Sequence, residues 1–428
     1  MSPMIIQPAG RLRGRIRVPG DKSISHRALL LGALADGTSH IAGFNPSGDC
    51  LATLDCIRAL GIQVDCESPT ALTVHGRGLR GLRPPEGPLH CGRSGTTMRL
   101  LAGILAGQPF TSTLTGDPQL LRRPMRRVVA PLRAMGATIE DHDGRAPLVI
   151  HGRPLRGCHH TLPVASAQVK SALMLAGLYA DGPTTIQQPG PARDHTERML
   201  AAMGARVETA GLSVTLGSPG RLAPLSLTVP GDLSSAAFLL VAALLVSGSE
   251  VTVAGVGVNP TRTGLLEVLE AMGAHIQLAG RGLQEDEPVA DLTARTSPLH
   301  AVEVGGDTVV RMIDEFPVLA VAATQARGTT VVRDAAELRV KETDRIAAVV
   351  SELALLGAHI EPRPDGFVVT GPTPLYGAPV HSHGDHRLAM ALAVAGLIAS
   401  GTTSVGDAGC IADSFPGFYA TLASLREG

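Results

Sequence analysis

Tryptophan is absent from this chain of 428 residues, and aromatic residues make up only 2% of it. With hydrophobic residues at 44%, the interior must be assembled from Ala, Leu, Val and Ile, a palette that suits closely packed helices and strands. Charge of one sign is also missing. A net charge of −1 excludes a nucleic-acid or membrane-surface protein that works through overall positive charge, so any basic site must be local. Apolar runs such as residues 388–400 fall short of the roughly 20 residues that span a bilayer, so no membrane span is expected. Arg11, Arg13 and Arg15 interrupt the N-terminal stretch; no signal peptide is read there, and the cytoplasm is the expected compartment. The six cysteines, at 50, 56, 66, 91, 158 and 410, form no C-x-x-C pair and have no zinc-ligand spacing with His, so they are expected to be reduced structural thiols. His383-Gly384-Asp385-His386 lacks a partner cluster, and no metal site is expected.

What the chain has is repetition. Val18-Pro19-Gly20-Asp21 returns as Val229-Pro230-Gly231-Asp232, each time before an Ala/Leu-rich stretch. A second echo, an apolar helix tail followed by Gly and a β-branched exit, recurs around Gly61, Gly136, Gly204, Gly273 and Gly357, a period of about 70 residues. Each unit reads as an extended segment, a Gly/Ser/Asp turn, an Ala/Leu helix, a Gly-containing stop and another strand. The helix starts lie at Ser23, Ser94, Ser166, Ser234, Asp314 and His383, with Ser23 and Ser234 among the candidate caps. Six units, three in each half, predict an α/β protein of two domains, as the length also demands. The V-P-G-D turns are the natural crossing points. Residues 1–19 and 231–428 are then expected to form one discontinuous domain and residues 20–230 the other, with the active site in the cleft between them.

Helix N-termini carry unpaired N–H groups and about half a positive charge, so several of them converging make an anion receptor without net protein charge. At the first stand Lys22, Ser23 and Arg27, able together to grip a phosphate or carboxylate. The parallel turn at Asp232-Leu233-Ser234 keeps the scaffold and lacks the Lys, which favours a functional role for Lys22. Arg99, Arg122, Arg123, Arg193, Lys341, Arg345 and Arg387 also sit beside turns. Such a set of planar Arg forks and compact Lys charges suits a multiply anionic ligand. Acidic candidates are Asp314 and Glu342, either as acid–base groups or as structural ion-pair partners.

The stretches G-D-K-S-I-S-H-R at 20–27, S-G-T-T-M-R at 94–99, K-E-T-D-R at 341–345 and D-H-R at 385–387 together resemble the 5-enolpyruvylshikimate-3-phosphate (EPSP) synthase family. The likeness runs in order along essentially the whole chain. S-A-Q-V-K at 166–170, R-D-H-T-E at 193–197 and N-P-T-R at 259–262 are similar to its second class, associated with glyphosate tolerance. The resemblance implies an inside-out α/β barrel of two domains with three repeats each. It implies transfer of an enolpyruvyl group from phosphoenolpyruvate to shikimate 3-phosphate, with no cofactor or metal; no coiled-coil or strand-edge signal demands a partner chain, and a monomer is expected. It also implies that Lys22, Ser23, Arg27, Ser166, Gln168, Arg193, Asp314 and Lys341 hold shikimate 3-phosphate, and that Lys22, Gly95, Arg123, Gln168, Arg345 and Arg387 surround phosphoenolpyruvate. Asp314 would be the base, Glu342 the proton donor at C3, and Lys22 a sharer of acid–base duty. Arg93, Ala167, Glu337 and Asp413 depart from residues common in the family. Two other readings compete. A sister transferase acting on UDP-N-acetylglucosamine usually carries a Cys in the loop here spanning 116–124, which has none. A non-catalytic anion-binding repeat scaffold would keep equivalent sites in every repeat, and Lys22, Asp314 and Glu342 are not repeated.

Overall fold

The computed structural model describes residues 3–284 and 286–427. The chain divides into two compact units. The central unit is Gly20–Val229 with Gln284 and Asp286; the terminal unit comprises the segment ending at Pro19, Pro230–Leu283 and the residues from Glu287 onward.

Each unit is built on three largely apolar helices that are buried on nearly every side. In the terminal unit these are Leu233–Leu245, Phe316–Gln325 and His386–Ile398, nearly every residue of which is buried. In the central unit they are Lys22–Leu34, Gly95–Ala106 and Ala167–Gly177. A helix without a polar face belongs inside, and here sheets cover it. Four four-stranded sheets repeat one design: a short strand pairs parallel to the strand that follows the buried helix, and two antiparallel strands complete the sheet. One example is Leu89–His90, Thr111–Thr115, Arg145–His151 and Thr138–His142. The outer chain segments complete the remaining sheets of the terminal unit. Arg11–Ile16 pairs parallel with Glu250–Gly257, and Met4–Ile6 pairs antiparallel with Thr403–Gly406. The architecture is thus mixed α/β with helices inside and sheets outside.

The five glycine echoes have a common cause. Gly61, Gly136, Gly204, Gly273 and Gly357 all adopt positive φ, between 85° and 96°, just after a second helix in their repeat. That left-handed conformation ends the helix and turns the chain into a strand, at little steric cost only for Gly. The expected Ser caps are corrected at two starts. Asp21 accepts from the Ile24 N–H at 2.9 Å and Asp232 from the Ser234 N–H at 2.8 Å, so the aspartates of the V-P-G-D turns cap these helices and Ser23 and Ser234 lie inside the first turn. Ser94 and Ser166 do cap theirs. Among the described residues no helix is long and apolar enough to cross a membrane.

Candidate active site

In the central unit the start of the Lys22–Leu34 helix is fixed by close packing. A Cβ on Gly20 would lie 1.9 Å from the Gly43 carbonyl oxygen, and the Asn45 amide donates to the Gly20 carbonyl at 2.8 Å. Lys22 projects from this rigid turn and pairs with Asp49 at 2.8 Å. Buried Arg27 braces the neighbourhood, donating to the Ser23 carbonyl at 2.9 Å, to Thr196 Oγ1 at 2.6 Å and to Ser171 Oγ at 2.6 Å. Arg193 reaches the Ser23 hydroxyl at 3.2 Å. Lys22, Ser23, Arg27 and Arg193 therefore stand at one place. Behind them His26, bonded to Thr53 at 2.7 Å, has its pKa held well below the usual value by burial and by Lys22 and Arg27, so it stays neutral.

A second group gathers around Gly95, the first residue of its helix. Arg99 donates to Gln168 Oε1 at 2.5 Å and to the Pro124 carbonyl at 3.2 Å, while Gln168 donates to Thr96 at 2.9 Å. A Cβ on Gly95 would stand 2.8 Å from an Arg99 nitrogen and 2.9 Å from an Arg123 nitrogen. Glycine here is what lets two guanidinium groups approach a helix N-terminus. Ser166 accepts from the Val169 N–H at 3.4 Å, setting the turn from which Gln168 emerges. Thr97 joins the two groups, bonding Thr53 at 2.6 Å and the Asp49 carbonyl at 3.4 Å.

The terminal unit holds the rest. Arg345, almost wholly enclosed, is the hub of a charged cluster: its Nε meets Asp385 at 2.8 Å, its Nη2 meets Glu342 at 2.7 Å and its Nη1 meets Asp314 at 3.3 Å. Arg387 approaches the other Asp314 oxygen at 3.4 Å. Burial alone would lower the Arg345 pKa; Asp385, Glu342 and Asp314 outweigh it and push the value up, so the guanidinium is permanently charged. Lys341 is partly buried beside them. Loss of water brings its ammonium down to about 8, with Arg345 acting in the same direction and Asp314, Glu342 and Glu337 opposing. Three cations, Lys341, Arg345 and Arg387, thus face three carboxylates, Asp314, Glu342 and Asp385.

Apart from Arg122, every candidate residue falls in one of these groups. Sequence reasoning missed the partners that hold them. Asp49 pairs with Lys22 from 27 residues away, and Thr196 and Ser171 brace Arg27 from still farther, with no local signal for any of the three. Asp385, quoted only as part of D-H-R, both caps its helix through the Arg387 N–H at 2.9 Å and clamps Arg345.

The family model described as EPSP synthase (3-phosphoshikimate 1-carboxyvinyltransferase) matches residues 6–422. A 3-phosphoshikimate 1-carboxyvinyltransferase of Acidithiobacillus ferrooxidans is 53% identical over 420 residues, covering 98% of this chain and 97% of the relative. That of Geobacter sulfurreducens is 55% identical over 417 residues, covering 97% of each. Among solved structures, EPSP synthase from Acinetobacter baumannii superposes with a TM-score of 0.88 at 42% identity, over 100% of this chain and 98% of its own. The enolpyruvyl transferase NikO from Streptomyces tendae shares the fold, with a TM-score of 0.82 at 21% identity over 99% of this chain and 97% of its own.

Proposed function

The chain belongs to the EPSP synthase family, the 3-phosphoshikimate 1-carboxyvinyltransferases, and from that premise we propose how its own side chains divide the work of the reaction. The reaction moves the enolpyruvyl group of phosphoenolpyruvate to the 5-hydroxyl of shikimate 3-phosphate and releases inorganic phosphate. Lys22, Ser23, Arg27, Ser166, Gln168, Arg193, Asp314 and Lys341 hold shikimate 3-phosphate. Lys22, Gly95, Arg123, Gln168, Arg345 and Arg387 surround phosphoenolpyruvate.

The chemistry proceeds by addition and elimination. Asp314 takes the proton of the 5-hydroxyl as its oxygen bonds to C2 of phosphoenolpyruvate, and C3 gains a proton from Glu342 in its protonated form, giving a tetrahedral intermediate with a methyl group. A proton then leaves C3 to the Glu342 carboxylate, the double bond re-forms as the C2–O bond to phosphate breaks, and phosphate departs with Lys22 at its bridging oxygen. Arg123, Arg345 and Arg387 offset the phosphate and carboxylate charge while the intermediate exists.

The observation that best supports these roles is the environment of Asp314, whose two carboxylate oxygens face Arg345 and Arg387. A carboxylate oriented by two guanidinium groups is fixed in place for proton transfer, and the same cations lie ready for an anionic substrate. The deciding experiment measures phosphate release from phosphoenolpyruvate with either shikimate 3-phosphate or UDP-N-acetylglucosamine as acceptor. Release with shikimate 3-phosphate alone is expected. Release with only the nucleotide sugar would move the assignment to the sister transferase.

A further inference from the structure

Outside the charged cluster, the Arg345–Leu355 helix buries one more carboxylate, Glu352, which the mechanism does not use. A buried carboxylate on an otherwise apolar helix face is costly unless its oxygens are satisfied. Here both are: Oε2 accepts from the backbone N–H of His381 at 2.8 Å, and Oε1 meets Nε2 of His383 at 2.7 Å. Both partners lie where the Pro379–His381 strand turns into the His386–Ile398 helix, at the turn that delivers Asp385 and Arg387. That loop is tightly wound. His383 is left-handed at φ 52°, its N–H donates to Nδ1 of His381 at 2.9 Å, and the two rings meet edge to face at 5.1 Å. The next turns are bonded too, with the Asp385 N–H donating to the Ser382 carbonyl at 2.9 Å.

Glu352 lies seven residues beyond Arg345, two helical turns along, so both project from the same face. One helix thereby grips one loop twice: Arg345 holds Asp385 at 2.8 Å, and Glu352 holds His381 and His383. The segment is also held at Ser382, whose N–H donates to the Gly406 carbonyl at 3.1 Å and whose hydroxyl donates to the Asp407 carbonyl at 2.9 Å; the two grips from the Arg345–Leu355 helix add to these and set the direction of the Arg387 guanidinium. We propose that Glu352 and His383 are positioning residues that lock the 381–387 loop and so set Arg345 and Arg387 for phosphoenolpyruvate. This rests on the assignment of those two arginines to phosphoenolpyruvate.

The test compares wild type with E352A, E352Q and H383N, reading KM for phosphoenolpyruvate, kcat, the Kd for shikimate 3-phosphate alone and the melting temperature. E352A loses both grips. E352Q can still accept from His381 and donate to the ring. H383N removes only the ring contact from a half-exposed side chain, with a residue that tolerates left-handed backbone, so it decides the matter if E352A does not fold. KM for phosphoenolpyruvate is expected to rise about tenfold in E352A and several-fold in H383N, the scale of a misplaced binding group. E352Q should return to near wild type, and the Kd for shikimate 3-phosphate should stay within about twofold throughout. A folded E352A or H383N with unchanged KM for phosphoenolpyruvate would overturn the proposal. So would a uniform loss of both affinities that follows the drop in melting temperature. If these variants behave as expected but R345K and R387K leave KM for phosphoenolpyruvate untouched, it is the arginine assignment that falls.

Discussion

Lys341 offers a test in which activity and stability move in opposite directions with pH. Its ammonium, brought from 10.5 to about 8 by loss of water, is charged in only part of the accessible pH range. At pH 7 about nine-tenths of free enzyme molecules carry the charge, and at pH 9 about one-tenth do. If that ammonium binds shikimate 3-phosphate, kcat/KM for this substrate, which reports on the free enzyme, must fall about tenfold between pH 7 and pH 9. Stability runs the other way. Between about 8 and about 10.5 the unfolded chain keeps the lysine proton while the folded one has released it, so the unfolded state binds more protons and stability rises with pH. Below 8 the full penalty of holding a charged Lys341 is present, about 3 kcal/mol for a drop from 10.5 to about 8. The assay is a pH profile of kcat/KM for shikimate 3-phosphate with phosphoenolpyruvate saturating, run beside urea unfolding at each pH. Lys341→Arg supplies the control, since a guanidinium stays protonated and the descending limb near pH 8 should vanish whatever the absolute rate. A wild-type profile flat through pH 9, or an arginine variant that keeps the same limb, would refute the reasoning.

Three further outcomes follow from the geometry. Gly95→Ala places a methyl group within 3 Å of both the Arg99 and Arg123 nitrogens, atoms at the ends of flexible side chains, so KM for phosphoenolpyruvate should rise about tenfold while the melting temperature hardly moves. Asp385→Ala strips buried Arg345 of a partner and its helix of a cap; urea unfolding should show a loss of about 3–5 kcal/mol, and a loss under 1 would mean that Glu342 and Asp314 suffice. Lys170 and Glu197 form a buried pair at 2.5 Å, with Lys170 also donating to the Ala192 carbonyl at 3.1 Å. Lys170→Met should therefore cost about 3–5 kcal/mol, and adding Glu197→Leu should recover part of it, because the uncompensated charge rather than the missing bond dominates.

The parts of this molecule that could be read in advance are those written locally. A helix that must stop and turn into a strand within two residues calls for Gly, and five such glycines reveal the repeat before any contact is known. Ser94 and Ser166 stand immediately ahead of apolar runs and cap them. The misread caps at Asp21 and Asp232 were also within view, but Asp and Ser are comparable acceptors, and the choice is made by the backbone of the V-P-G-D turn. What could not be read are groups whose meaning depends on a distant partner. Asp49 and Glu352 look like ordinary helix-surface carboxylates in the sequence; each becomes intelligible only beside Lys22 or the 381–387 loop. Gly20 belongs with them, since the carbonyl that excludes any side chain there comes from Gly43.

The strand Met4–Ile6 has as its partner Thr403–Gly406, made only after the whole central unit. Until Thr403–Gly406 has emerged, that strand has no sheet to join, and the Arg11–Ile16 strand must wait for Glu250–Gly257. The central unit, with nearly all of its residues between 20 and 229, has no such dependence and can fold during synthesis. Its early folding also shortens the effective span to be closed, since the two ends of the segment, at Gly20 and Val229, are held together where the Val229 N–H donates to Ala42 beside the first helix. Order of synthesis and order of assembly are thereby matched: the inserted half makes the loop that the outer half needs closed.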